Sequence, residues 1–173
     1  RRRPNDAAVI DVHGEHSWQA LFAGALGVVR LLRDHGVGAG GHVAILSANR
    51  VEYFQALLGC LLAGVWLTPL NRHLSAPEVD YVLADSQALL LFTAGCDYGG
   101  TTAMPVLPLL SGQLEQLNGP TADRLEQISG LLQGEPGGTL MYTSGTTGRP
   151  KGVKRATTGN LGETWVNWCR LGR

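Results

Sequence analysis

Three observations predict a layered α/β fold with a largely parallel sheet. Between residues 17 and 93, segments with helical spacing alternate with short apolar runs, in the order helix, strand, helix, strand, helix, strand. The apolar runs are nearly continuous rather than alternating, which is the pattern of strands covered on both faces. The chain has 173 residues, 44% of them hydrophobic, so a single domain burying roughly 70% of its unfolded surface is feasible.

Residues 1–16 read as a lead-in with a short strand at 7–12. Ser17 is a plausible N-cap, and Trp18, Leu21, Phe22, Ala25, Val29 and Leu32 follow at helical spacing until Gly36 stops the pattern. The run 42–47 is a buried strand. Asn49 with Glu52 three residues on forms a capping-box pattern, and Val51, Phe54, Leu57, Leu58, Leu61 and Leu62 carry the next helix, which Gly64 ends. A strand follows at 65–70. Pro69 cannot donate to a ladder and is expected near its end or at a bulge. Ser75 and Glu78 form a second capping box, with Pro77 in the first turn, and open a helix carrying Val79, Val82 and Leu83. The third strand is read at 88–92.

From 93 to 120 glycines and prolines punctuate the chain, with a short strand at 104–110. A helix at 121–132 follows, then a connector at 134–138 and a strand at 139–142. Past residue 152 the pattern gives a segment at 153–159 and a last helix from Asn160, on which Leu161, Trp165 and Trp168 share a face.

Between that strand and that segment stands Thr143-Ser144-Gly145-Thr146-Thr147-Gly148-Arg149-Pro150-Lys151-Gly152. The stretch is poor core and poor helix. Its glycines let the backbone approach a ligand closely. Successive backbone N–H groups in such a turn make an anion-binding concavity, and the hydroxyls add rotatable donors. Lys151 supplies a compact charge. The order departs from a Walker A loop, because Arg149 follows Gly148 and no hydroxyl follows Lys151.

Fourteen cations balance fourteen anions, which argues against a nucleic-acid partner. Cys60, Cys96 and Cys169 lie far apart with no CxxC pair, so they read as reduced thiols of a cytoplasmic protein rather than a disulfide frame or zinc site. His13 and His16 lack a carboxylate or cysteine at ligand spacing, so no histidine metal site is expected. The longest apolar run, 56–67, is too short to span a bilayer, which takes about twenty residues. The protein reads as soluble, without a transmembrane segment.

The ten residues 143–152 resemble the phosphate-binding signature of the adenylate-forming (AMP-binding) superfamily. The segment 54–86, with Ala63-Gly64-Val65-Trp66-Leu67-Thr68-Pro69-Leu70-Asn71 at its centre, is similar to the first subdomain of acyl-CoA synthetases. The resemblance implies the N-terminal part of a fatty-acid–CoA ligase. Residues 1–173 would be the first portion of an adenylation domain, an incomplete layered α/β subdomain that stops soon after the phosphate loop, with the C-terminal domain absent. It implies a reaction in which a carboxylate attacks the α-phosphate of ATP with Mg²⁺, giving acyl-adenylate and pyrophosphate, after which CoA displaces AMP. Carried over by motif position, Thr143, Ser144, Gly145, Thr146, Thr147, Gly148 and Lys151 would hold the β- and γ-phosphates, and Thr143 would also approach Mg²⁺. Arg149, Lys154 and Arg155 either raise the local positive potential or are solvated surface cations.

The family's Glu motif, ribose-binding Asp, hinge and late catalytic Lys have no counterpart here. Glu163 is the only carboxylate after the loop, and its flanks differ from that motif. No catalytic residue is therefore expected in this chain, which alone would be inactive, with an apolar face left for association. Two other readings stay open: a non-catalytic module that binds nucleotide or a partner, and part of a peptide-synthetase adenylation domain.

Overall fold

A computed structural model describes residues 4–117, 135–143 and 150–156. The chain opens with an antiparallel hairpin, β1 (Ala7–Asp11) and β2 (Gly14–Ser17), where one short strand was expected. Then come α1 (Trp18–Asp34), β3 (His42–Ser47), α2 (Val51–Leu62), β4 (Trp66–Leu70), α3 (Ala76–Asp85), β5 (Leu91–Ala94), β6 (Val106–Pro108), α4 (Ser111–Gln116), β7 (Gly138–Thr143) and β8 (Lys151–Ala156). Strands β3 to β8 form one sheet in the order β6-β5-β3-β4-β7-β8. All neighbours are parallel except β7 and β8. The helices read at 121–132 and from Asn160 lie outside the described residues.

β3 sits inside the sheet and alternates between two cores. Val43 and Ile45 face a cluster with Val28, Leu32, Ala56, Cys60 and Phe92, while Ala44 and Leu46 face Val79, Val82, Leu83 and Leu91. The first cluster lies under α1, α2 and α4, the second under α3. The near-continuous apolar run of β3 is thus the signature of a strand covered twice. α1 and α2 approach closely because residue 59 is glycine: a Cβ there would stand 2.7 Å from Ala25 O and 2.7 Å from Val28 Cβ.

Two local expectations hold. The Ser17 hydroxyl accepts from Ala20 N–H at 3.1 Å, capping α1. The Glu78 carboxylate accepts from Ser75 N–H at 2.8 Å and from the Ser75 hydroxyl at 2.7 Å, opening α3.

Other local expectations are displaced by long-range partners. The N-cap of α2 is Arg50, not Asn49. Glu52 turns away from a capping box to pair with Arg50, at 3.0 and 3.1 Å, and to accept from Ser111 N–H at 3.3 Å. The orphan Val51 N–H donates instead to Asp11 Oδ2 at 3.0 Å, forty residues away in sequence. β5 begins later than expected. Gln87 adopts φ 54°, and Ala88 N–H still closes α3 by donating to Leu83 O at 3.1 Å. β6 is shorter than the stretch 104–110 and holds Pro108 on an edge strand, where a missing ladder donor is tolerated, while Pro105 lies just before it.

Asp11 also pairs with a histidine of the hairpin, its Oδ1 lying 3.1 Å from His16 Nε2. Burial pushes the carboxyl pKa up. Hydrogen bonds from His13 N–H, the His16 ring and Val51 N–H, with the attraction of His16, outweigh burial and hold it at about 2. The folded value lies below the ordinary 3.8, so this contribution to stability is present above pH 4 and fades as pH falls toward 2. Asp11→Asn is expected to lower the melting temperature at pH 6, with the gap to wild type narrowing between pH 4 and pH 2. A gap that stays constant across that range counts against this role.

Cys60 is buried, and burial pushes its thiol pKa up; Cys60 and Cys96 are both free thiols. Among the described residues no helix is long and apolar enough to cross a membrane.

Candidate functional site

The stretch singled out in the sequence is the connection of a β-hairpin. β7 and β8 pair antiparallel from Gly138↔Ala156 to Thr143↔Lys151. β8 was not foreseen as a strand; six cross-strand pairs with β7 make it the antiparallel edge of the sheet. β7 runs parallel to β4, so the connection emerges at the carboxyl end of the parallel strands. In open α/β sheets ligands bind at that end.

The hairpin is only half fastened to the sheet. β7 pairs with β4 at Trp66↔Gly138 and Leu67↔Thr139 and no further. Pro69 explains the limit. Trp66 N–H donates toward the β3 side, to Gly41 O at 2.8 Å, so residues 67 and 69 direct their nitrogens toward β7 by strand alternation. A proline at 69 offers no donor there, and the hairpin continues toward its loop without a ladder to β4. Pro69 is therefore near the strand's end, as expected, and it also marks where β7 departs.

Of the predicted phosphate ligands, the register brings together Thr143 and Lys151, which face each other across the hairpin and are both exposed. Ser144, Gly145, Thr146, Thr147 and Gly148 lie outside the described residues, as does Arg149. The cations beyond the loop are placed elsewhere. Lys154 stands opposite Leu140, and its Nζ lies 5.0 Å from the centroid of the Trp66 ring. Arg155 is opposite Thr139, further still from the loop.

Thr143 offers one hydroxyl toward a metal. Among the described residues no group of three or more His, Cys, Asp or Glu side chains is placed to hold an ion. Mg²⁺ takes an octahedron of oxygens and usually keeps waters and substrate phosphates among them. A single exposed threonine fits that role only as one ligand to an ion already held by phosphates.

Two contacts that sequence reasoning missed tie the hairpin to α3. The Tyr142 hydroxyl donates to Asp85 Oδ2 at 2.6 Å, and the Tyr81 hydroxyl donates to Pro150 O at 3.3 Å. The only signal in the sequence was an acidic residue at the end of a helix. A cleft of about 530 Å³ also opens at the carboxyl ends of β3 and β4, lined by Ser47, Asn49, Arg50, Tyr53, Asn71 and Arg72 among others. Nothing in the local sequence pattern marks it, because its walls come from two loops brought together by strand pairing.

The comparisons agree with this geometry. The family model described as AMP-binding enzyme matches residues 1–171. A feruloyl-CoA synthase of Amycolatopsis sp. is 39% identical over 137 residues, covering 78% of this chain and 26% of that protein. A long-chain-fatty-acid–CoA ligase of Mycobacterium tuberculosis is 36% identical over 131 residues, covering 68% of this chain and 25% of that protein. The structure of an o-succinylbenzoate coenzyme A synthetase from Bacillus subtilis, in complex with ATP and magnesium ion, superposes with a TM-score of 0.64 at 26% identity, covering 95% of this chain and 42% of that one. The chain thus spans about a quarter of the length of the two curated relatives. With the fold, the placement of the hairpin and the family match in accord, the chain belongs to the AMP-binding enzyme family, in which its signature loop had placed it by resemblance.

Proposed function

We propose that the hairpin loop is the phosphate clamp of an adenylate-forming acid–thiol ligase, and that residues 1–173 are the N-terminal portion of its adenylation domain. The observation that carries this reading is the Thr143↔Lys151 pair, which sets a hydroxyl and an ammonium side by side at the carboxyl end of the sheet. In the reaction a carboxylate oxygen attacks the α-phosphorus of ATP, the α–β bridging bond breaks, and pyrophosphate leaves. CoA then displaces AMP to give the thioester.

The role of this chain is electrostatic. Thr143, Ser144, Thr146 and Thr147 offer hydroxyl donors, and Gly145 and Gly148 let backbone N–H groups approach. Lys151 neutralises charge as it develops on the leaving pyrophosphate. Thr143 would offer one oxygen to a Mg²⁺ ion held by the phosphates of ATP, and that ion would offset their charge. The acid substrate is a fatty acid. The printed names of the relatives, which include feruloyl, long-chain-fatty-acid and o-succinylbenzoate enzymes, support a carboxylic acid acceptor as the general class. The protein works in the cytoplasm. The outward-facing pair Met141 and Val153, opposite each other on the hairpin and both exposed, supports association with a further part of such an enzyme.

This chain alone is expected to bind through phosphates and to stop there. Isothermal titration should give similar, weak affinity for ATP and for inorganic tripolyphosphate. ATP–pyrophosphate exchange with a fatty acid present should stay at background. Tight binding selective for the adenine ring, or robust exchange, would overturn this account.

A further inference from the structure

Asp85 is the last residue of α3, where the negative end of the helix dipole disfavours a carboxylate. Residues that break a local rule commonly serve something outside their own element. Here the carboxylate accepts the Tyr142 hydroxyl at 2.6 Å. Burial, the hydrogen bond to Asp85 and its charge all push the Tyr142 hydroxyl pKa up, so it remains a proton donor through neutral pH. One turn earlier on the same helix, the Tyr81 hydroxyl donates to Pro150 O at 3.3 Å. Positions 81 and 85 are i and i+4, hence neighbours on one face.

The two contacts have matching targets. Tyr142 directly precedes Thr143, and Pro150 directly precedes Lys151, so α3 grips the chain beside each end of the phosphate loop. The side chain of Tyr142 crosses its partner strand to do so. A Cβ at Gly152 would stand 3.2 Å from Tyr142 Cζ and 3.3 Å from its hydroxyl, so glycine leaves the ring room to pass. The sheet cannot supply this support, because the pairing of β7 with β4 ends at Leu67↔Thr139.

We propose that Tyr81 and Asp85, acting through Pro150 and Tyr142, are positioning residues that make α3 a bracket for the phosphate loop, fixing the spacing of Thr143 and Lys151 and with it the affinity for a phosphate chain. The proposal rests on the phosphate reading of the loop.

The test uses the 173-residue chain and inorganic tripolyphosphate as the probe. Tyr142→Phe and Asp85→Ala are each expected to weaken binding by about three- to tenfold, the range one hydrogen bond commands. The double variant should be no weaker than either single one, since each change removes the same contact. Tyr98→Phe removes a second tyrosine–aspartate contact made by α3, that of Tyr98 with Asp80, neither of which is a hairpin residue, and should bind like wild type. Amide exchange at 140–143 and 151–153 should quicken in Asp85→Ala and not in Tyr98→Phe, a response that general weakening of α3 would not produce selectively. Wild-type binding with the Tyr142 and Asp85 variants bound equally tightly overturns the bracket and leaves the phosphate reading standing. A wild-type chain that binds no tripolyphosphate overturns the reading and the bracket with it.

Discussion

Lys151→Ala is expected to weaken tripolyphosphate binding by about 10- to 100-fold. A hydrogen bond to a charged group is worth about 1.5–3 kcal/mol, and each 1.4 kcal/mol is a factor of ten. The lysine is the first residue of the edge strand β8, it is exposed, and it faces Thr143 across the hairpin. Removing it takes away charge without opening the core, so the melting temperature should stay at the wild-type value while affinity falls. Lys151→Arg keeps the charge but replaces a compact ammonium with a planar fork, and should recover only part of the binding. Thr143→Ala should cost less, because a neutral hydroxyl donor is the weaker partner. Raising the salt should narrow the gap between wild type and Lys151→Ala, since screening weakens exposed charges most. Affinity of Lys151→Ala within twofold of wild type would remove the lysine from the clamp.

Phe92→Ala is expected to destabilise the chain by about 3–5 kcal/mol, a large share of the roughly 5–15 kcal/mol typical of a domain. Phe92 lies on β5, flanked by β3 and β6, and is completely buried in the cluster under α1, α2 and α4. Its removal leaves a cavity walled by rigid sheet on one side and by helices on the other, and neither side can collapse freely. Urea denaturation should show a much lower midpoint with the slope preserved. Phe92→Leu should lose less. A midpoint for Phe92→Ala equal to that of wild type would mean that the β5 layer does not carry the core.

Much of the architecture was legible because its signals are local. β3 was read at its observed bounds, since five apolar or small residues after His42, between turn signals, leave few alternatives. The Ser17 cap and the Ser75–Glu78 capping box were legible for the same reason: donor and acceptor lie within three residues of each other. The stretch 143–152 was legible as a family signature because its glycines, hydroxyls and lysine are contiguous.

The misreadings share a cause. Asn49 has the sequence of a cap, but Asp11 arrives from the first hairpin and satisfies Val51 instead. Of the two readings of Lys154, strand pairing favours the surface cation, carried over the Trp66 ring and away from the loop. β8 has weak strand character of its own and exists because β7 lies beside it. In each case a partner outside the segment itself outcompeted the local preference.

The sequence by itself determined the alternation of helices and strands, the two-faced burial of the central strands and, through the stretch 143–152, the family, because spacing and residue type act over a few residues. The tertiary structure decided that Thr143 and Lys151 stand opposite each other, that the hairpin leaves β4 beyond residue 67, and that Tyr81 and Asp85 reach its two feet. These depend on which strands become neighbours, and that choice is made by burying the whole sheet at once rather than by any one segment.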